Sequence, residues 1–206
     1  MKKLLFWMVL IVGIVALIGS CAKKSDTSST TTTTTELEGT WVVSCYASGS
    51  NYTKKTLIVS GSDVTEKWDY FSDSSCTSAT DSWVATYQSL SIGDVYEQSS
   101  YGTSGGSGHK YTKTIITNTA EIKSSDEVSW YNNNSYCGLT GWELNVARDV
   151  AGKTCGSGDS AFDLWAKDIT IYGLYILDGN KLFPNFTSGS YASTVSTVDS
   201  NKYIKQ

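Results

Sequence analysis

The sequence predicts an all-β domain, an antiparallel meander of about eight to ten strands that closes into a barrel, and three observations carry that prediction. Its apolar stretches are dominated by Tyr, Trp, Val, Ile and Thr, side chains that fit a pleated, half-buried surface. Gly, Ser, Asn and Asp fill the gaps, Pro184 is the only proline, and helix signals are sparse. Asp178-Gly179-Asn180 sits between two apolar runs, and Asp-Gly readily takes the positive φ of a tight hairpin. A meander this long in one domain usually closes, because closure removes edges that would pair with other chains. A β-sandwich or jelly roll is the alternative that the same pattern allows.

Taken in order, Trp41 to Tyr46 makes a first strand, and Leu57 to Ser60 and Val64 to Phe71 flank a turn at Gly61-Ser62-Asp63. In the second arm Val64, Trp68 and Tyr70 share one face, and Glu66 breaks the inward pattern. Trp83 to Leu90 continues into Ser91 to Tyr96. Tyr111 to Lys123 follows a glycine-rich interruption, with Glu127 to Tyr131 as a further strand. In Thr140 to Val150 the residues Trp142, Leu144 and Val146 alternate, while Trp142, Val146 and Val150 also suit a helix; the strand is preferred. Asp168 to Leu177 and Lys181 to Phe183 flank the Asp-Gly-Asn turn, and Tyr191 to Ile204 supplies a closing strand.

Ahead of this domain, Lys2 and Lys3 precede an almost unbroken apolar run from Leu4 to Ile18 that ends in Gly19 and Ser20. That is a signal-peptide profile, a little short for a spanning helix and without a stop-transfer charge cluster. Ile18-Gly19-Ser20-Cys21 resembles the lipobox of bacterial lipoproteins. The resemblance implies cleavage before Cys21, residues 1–20 removed, and acyl chains such as palmitate on that cysteine, several chains giving stable attachment where one binds only marginally. Ala22 and Lys23 follow, not the aspartate that in similar enterobacterial lipoproteins retains the chain at the inner membrane. The expected location is therefore the cell envelope, at the outer membrane.

Residues 21–35 are Lys, Ser, Asp and a threonine tract from Thr30 to Thr35, with nothing to build a core, so they read as a tether. Residues 36–206 suit a single domain. The chain has 16 basic and 20 acidic residues. Losing Lys2 and Lys3 leaves 14 basic ones, and with Arg148 the only arginine nucleic acid is an unlikely partner by charge. Four further cysteines, Cys45, Cys76, Cys137 and Cys155, form an even set in a chain addressed to an oxidising compartment, so two disulfides are expected. Of three possible connectivities, Cys45 to Cys76 with Cys137 to Cys155 is favoured because each closes a short local loop. No Cys-x-x-Cys spacing supports a metal site.

Gly39-Thr40-Trp41, opening the first strand, resembles the Gly-x-Trp element of lipocalins. The wider plan is similar to bacterial lipocalin-like lipoproteins, with an early cysteine, a second after Ser72-Asp73-Ser74-Ser75, and a late Asp-Gly-Asn hairpin. The resemblance implies an eight-stranded barrel plugged at one end by Trp41. Where lipocalins commonly lay an arginine from the last strand over that ring, this chain offers Lys202 and Lys205, and the Thr-Asp-Tyr element of classical members is missing.

No catalytic or cofactor signature emerges. His109, the only histidine, closes a glycine-rich stretch and reads as a solvated residue at a hairpin tip, and the same stretch lacks the Lys-Ser/Thr ending of a phosphate cradle. Acid pairs such as Asp126 with Glu127 or Asp163 with Asp168 read as loop residues, because glycosidase chemistry depends on a separation that sequence does not give. The suggestive feature is 7 tryptophans and 13 tyrosines against 5 phenylalanines, a bias toward rings with a polar handle, which line amphiphile and carbohydrate sites. Trp68, Tyr70, Trp83, Tyr87, Trp130 and Trp142 are the candidates for a ligand wall. Two non-enzymatic classes follow: a barrel that holds a small apolar or amphipathic ligand inside, and a solid barrel that acts as a surface or interaction protein. Interior volume separates them, since a carrier needs some 300 Å³ or more.

Overall fold

A computed structural model describes residues 35–97, 107–191, 195 and 202–206. The expected signal peptide, Cys21 and the expected tether up to residue 34 lie outside the described residues, as does the interior of the segment expected to form the closing strand.

Eight antiparallel strands close into a barrel: β1 (Gly39–Ser48), β2 (Asn51–Ser60), β3 (Asp63–Phe71), β4 (Ala79–Glu97), β5 (Ser107–Ile122), β9 (Thr170–Asp178), β10 (Lys181–Ser188) and β11 (Tyr203–Lys205), which returns to β1. Each strand pairs with the next along the chain, so the expected meander barrel is the fold. Three of its hairpins are two-residue loops with glycine at the first central position: Gly49, Gly61 and Gly179 take φ of 64°, 60° and 59°. A two-residue hairpin that matches strand twist needs a positive φ there, which glycine adopts without steric cost.

Between β5 and β9 the chain leaves the barrel to build a cap. The cap contains α1 (Ser125–Asn133), β6 (Ala147–Asp149) and a small ribbon of β7 (Thr154–Cys155) with β8 (Phe162–Asp163). β9 runs beside Gly108–Thr114 of β5, and β6 takes over that edge at Thr119–Glu121. Two sequence expectations fail here. Glu127 to Tyr131 is helix, not strand: Asp126 and Glu127 occupy its first turn, where the helix dipole favours acids, and this outweighs the β-prone Val-Ser-Trp-Tyr run. Thr140 to Val150 is mostly irregular, with only Ala147–Asp149 in a strand, because side chains replace the ladder. Asn132 accepts from the Trp142 backbone N–H at 2.8 Å and donates to its carbonyl at 2.9 Å. Arg148 donates to the carbonyls of Thr140 and Gly141 and lies 5.5 Å from the Trp142 ring.

The disulfides join Cys45 to Cys76 and Cys137 to Cys155. The second lies inside the cap core with Trp83, Ala120, Ile122, Tyr131, Trp142 and Val150. The first ties β1 to the β3–β4 loop, where Asp73 accepts hydrogen bonds from the backbone N–H groups of Ser75, Thr77 and Ser78. Those bonds hold its carboxyl below the usual carboxylate range.

Inside the barrel, alternation places Trp41, Val43, Leu57, Val59, Val64, Ala85, Tyr87, Tyr111, Ile115, Ile171, Tyr175 and Leu182 in one core. Trp41 is 1 % exposed, its indole donates to the Leu37 carbonyl at 2.7 Å, and Lys205 sits 5.1 Å from its ring centroid. A lysine thus occupies the place where the lipocalin resemblance expects an arginine. Glu66 does not break the inward pattern of β3 but follows it. It is buried with Lys113 of β5 as an ion pair, accepts a 3.0 Å bond from the Tyr87 hydroxyl, and the Lys113 ammonium lies 3.7 Å from the Tyr87 ring centroid. Burial pulls the Lys113 ammonium below its ordinary value, while Glu66 opposes that pull. His109 is not at a hairpin tip: it lies in β5, its ring stacks on Tyr175 at 5.9 Å, Nδ1 is 3.0 Å from the Gly93 carbonyl, and Nε2 is 3.8 Å from Glu36.

Two outcomes follow. Lys113→Met strands Glu66 without its counter-charge and is expected to cost about 3 to 5 kcal/mol in urea denaturation, whereas the double variant Glu66→Gln with Lys113→Met returns most of that loss. Replacing Cys137 and Cys155 together by alanine, with a sequence separation of 18, is expected to cost about 3 kcal/mol in the same measurement.

Candidate functional site

The barrel interior holds a cavity of only about 20 Å³, bordered by Glu66, Lys113, Tyr111 and apolar side chains such as Leu57 and Val64. That is room for about one water molecule. The open volume lies at the α1 end of the barrel, the end opposite Trp41, as a cleft of about 700 Å³. Its wall comes from the β1–β2 turn (Ser50, Asn51), the inward faces of β3 and β4 (Tyr70, Asp81, Trp83, with Thr80 beside them), α1 and the cap.

On α1, Asp126, Glu127, Trp130 and Tyr131 all reach the cleft, because residues three and four apart share one face of a helix. Tyr131 packs on Tyr136 at 4.4 Å and Trp130 on Tyr136 at 5.3 Å. Trp83 lies 6.0 Å from Phe162 and 6.4 Å from Tyr136. Such tilted and edge-on pairs gain beyond their area burial. Trp130 is 49 % exposed and Phe162 43 %, so two large rings stand open at the rim.

Asp81 is the polar centre of this wall. The Tyr131 hydroxyl donates to its Oδ2 at 2.7 Å, while its Oδ1 is buried without a well-formed hydrogen bond. Burial, with the charges of Glu127 and Asp69, pushes the Asp81 carboxyl above the ordinary carboxylate range against the pull of Tyr131 and the Trp83 side chain. Burial and the nearby Asp81 push the Tyr70 hydroxyl up to about 12. Among the described residues the cleft wall holds three carboxylates, Asp81, Asp126 and Glu127, and no lysine, arginine or histidine.

Of the rings expected to form a ligand wall, the structure brings Tyr70, Trp83 and Trp130 to the cleft. Trp68 packs between the barrel core and the cap core. Tyr87 is buried at the centre of the barrel, committed to Glu66, and Trp142 is 2 % exposed beneath Tyr131; neither reaches the cleft, the first being spent in the barrel core and the second in the cap core. Asp81, Tyr131, Tyr136 and Phe162 are cleft residues that the sequence reading missed. The helical spacing of Glu127, Trp130 and Tyr131 behind two leading acids is the signal that marks the α1 face. No family model matches the chain, and no curated protein matches it in sequence.

The raised carboxyl has a consequence for stability. Between the ordinary aspartate value of 3.8 and its higher folded value, the folded chain keeps a proton that the unfolded chain has lost, so this group's contribution falls as pH rises through that window. Asp81→Asn removes the charge, keeps an acceptor for Tyr131, and is expected to raise the melting temperature at pH 7, with the gain vanishing near pH 3. Calorimetry across that range checks both halves.

Proposed function

We propose that this protein is an envelope lipoprotein, anchored through acyl chains on Cys21, whose filled barrel serves as a rigid support for a small-molecule site in the cleft at its α1 end. The observation that carries the reading is the division of volume: about 20 Å³ inside the barrel and about 700 Å³ in the cleft. Ligand sites typically enclose some 300 to 1,000 Å³ lined by rings with a few placed polar groups. The expectation of an amphipathic ligand is kept, and its place moves from the barrel interior to the mouth. The apolar side chains of the interior are used in packing one another, and its buried acid, Glu66, is used in pairing Lys113.

The lipobox supports the address, and the paired cysteines are in keeping with an oxidising compartment. The half-exposed rings of Trp130 and Phe162 favour a second use of the same rim, contact with another envelope component through an aromatic patch. The cleft is concave and carries buried polar groups, which suits a small ligand better than a flat contact.

Native mass spectrometry of the full chain extracted in detergent tests both parts. The expected result is an N-terminal Cys21 carrying acyl mass and a small molecule retained on the folded chain. Trp130→Ala is expected to release that molecule while shifting the melting temperature by no more than about 2 °C, since a half-exposed ring contributes little to the core. An unmodified Cys21 refutes the anchor, and retention of the molecule by Trp130→Ala refutes the cleft as its site.

A further inference from the structure

The two inward-facing acids of β3 and β4 are treated very differently by this fold. Glu66 has a lysine as counter-charge and a tyrosine as hydrogen-bond donor, both buried with it. Asp81 has only neutral partners, the Tyr131 hydroxyl and the Trp83 side chain, with two further carboxylates on the α1 face of the same cleft and no counter-charge. A carboxylate taken out of water without a counter-charge is costly, and the cleft wall supplies none among the described residues. Lysines of β2 and β3 and the one that follows β5 are engaged elsewhere: Lys67 pairs with Asp69, Lys123 with Glu121, and Lys55 lies over the Tyr46 ring.

The same cleft is walled by the faces and edges of Trp83, Trp130, Tyr131 and Tyr136. Aromatic rings attract a cation through their negative faces, most strongly when the cation sheds water. Rings alone would suit any apolar body, and carboxylates alone would be a solvated acidic patch. Together, in a concave site with no base, they select a charged head that is also greasy.

Resting on the cleft reading above, we propose that the ligand is a small organic cation, its methylated or primary ammonium head lodged among Trp130, Tyr131 and Tyr136 and facing Asp81 and Glu127. A neutral sugar uses the rings and leaves the carboxylates without a counter-charge. An anionic amphiphile meets three negative charges at the mouth. An ammonium ion satisfies both sets of groups, and the methyls of a quaternary head sit against the rings without requiring hydrogen-bond acceptors of them.

The test titrates the full chain in non-ionic detergent with choline and with 3,3-dimethylbutan-1-ol, which has the same shape and no charge, by calorimetry. Choline is expected to bind at least tenfold more tightly than the alcohol. Glu127→Gln and Asp81→Asn are each expected to weaken choline several-fold and leave the alcohol unchanged. Raising sodium chloride from 20 to 500 mM is expected to weaken choline alone, a readout that needs no variant to fold. Equal binding of the two probes, both lost in Trp130→Ala, overturns the cation and leaves the cleft as a site for neutral ligands. Tighter binding of benzenesulfonate than of choline also overturns the cation. Failure of all three probes to bind overturns the cation together with the cleft reading on which it rests.

Discussion

The Glu66–Lys113 pair at the centre of the barrel is the constraint from which the rest of the structure follows. It joins β3 to β5 across the intervening β4, so it fixes the relative register of three strands at once. A one-residue slip of either outer strand would turn one charge outward and leave the other buried and alone, at a cost of several kcal/mol. The hydroxyl of Tyr87 donates to the carboxylate, and the rings of Tyr87, Tyr111 and Phe186 close around the ammonium. The space that a carrier would leave for cargo is thereby filled with the protein's own side chains. With the middle occupied, the open volume lies at the end of the barrel, where α1 and the cap complete a cleft that the strands alone would leave open to water.

Much of this fold was legible because β-strand periodicity is short and closed hairpins announce themselves. Val64, Trp68 and Tyr70 alternate as inward residues, Gly61 and Gly179 mark their turns, and the local pairing of Cys45 with Cys76 and of Cys137 with Cys155 follows from loops closed within one part of the chain. Glu66 misled because a charge at an inward position has no meaning in sequence until its partner is known, and Lys113 is 47 residues away. α1 misled for a different reason: Val128, Trp130 and Tyr131 are β-prone, and what makes them helical is the pair of acids in the first turn together with burial of Tyr131 against the cap. Thr140 to Val150 misled because its backbone is held by Asn132 and Arg148, side chains doing what a neighbouring strand would have done.

The site was legible only in composition. An excess of tryptophan and tyrosine pointed to an aromatic surface, and Tyr70, Trp83 and Trp130 are part of one. Which rings face open volume and which are spent in packing depends on how full the barrel core and the cap core are, a property of each core as a whole. Tyr87 and Trp142 belong to the second group for that reason. Asp81 carried no local mark at all, since its character comes from burial beside Tyr131 and Glu127, brought together by the return of the cap over the end of β4.

The chain reaches the barrel at the Trp41 end, where Glu38 accepts from the Gly61 backbone, Glu36 accepts from the Tyr175 hydroxyl, and Leu37 folds beneath the indole. The cleft opens at the other end of β1 and β2, about 30 Å away at roughly 3.3 Å per residue. The entry of the chain and the aromatic rim of the cleft therefore lie at opposite poles of the barrel. Residues that fix how the chain enters, Glu36, Leu37 and Glu38, can thus change without disturbing Trp130 or Phe162, so the two ends of the domain are free to vary independently.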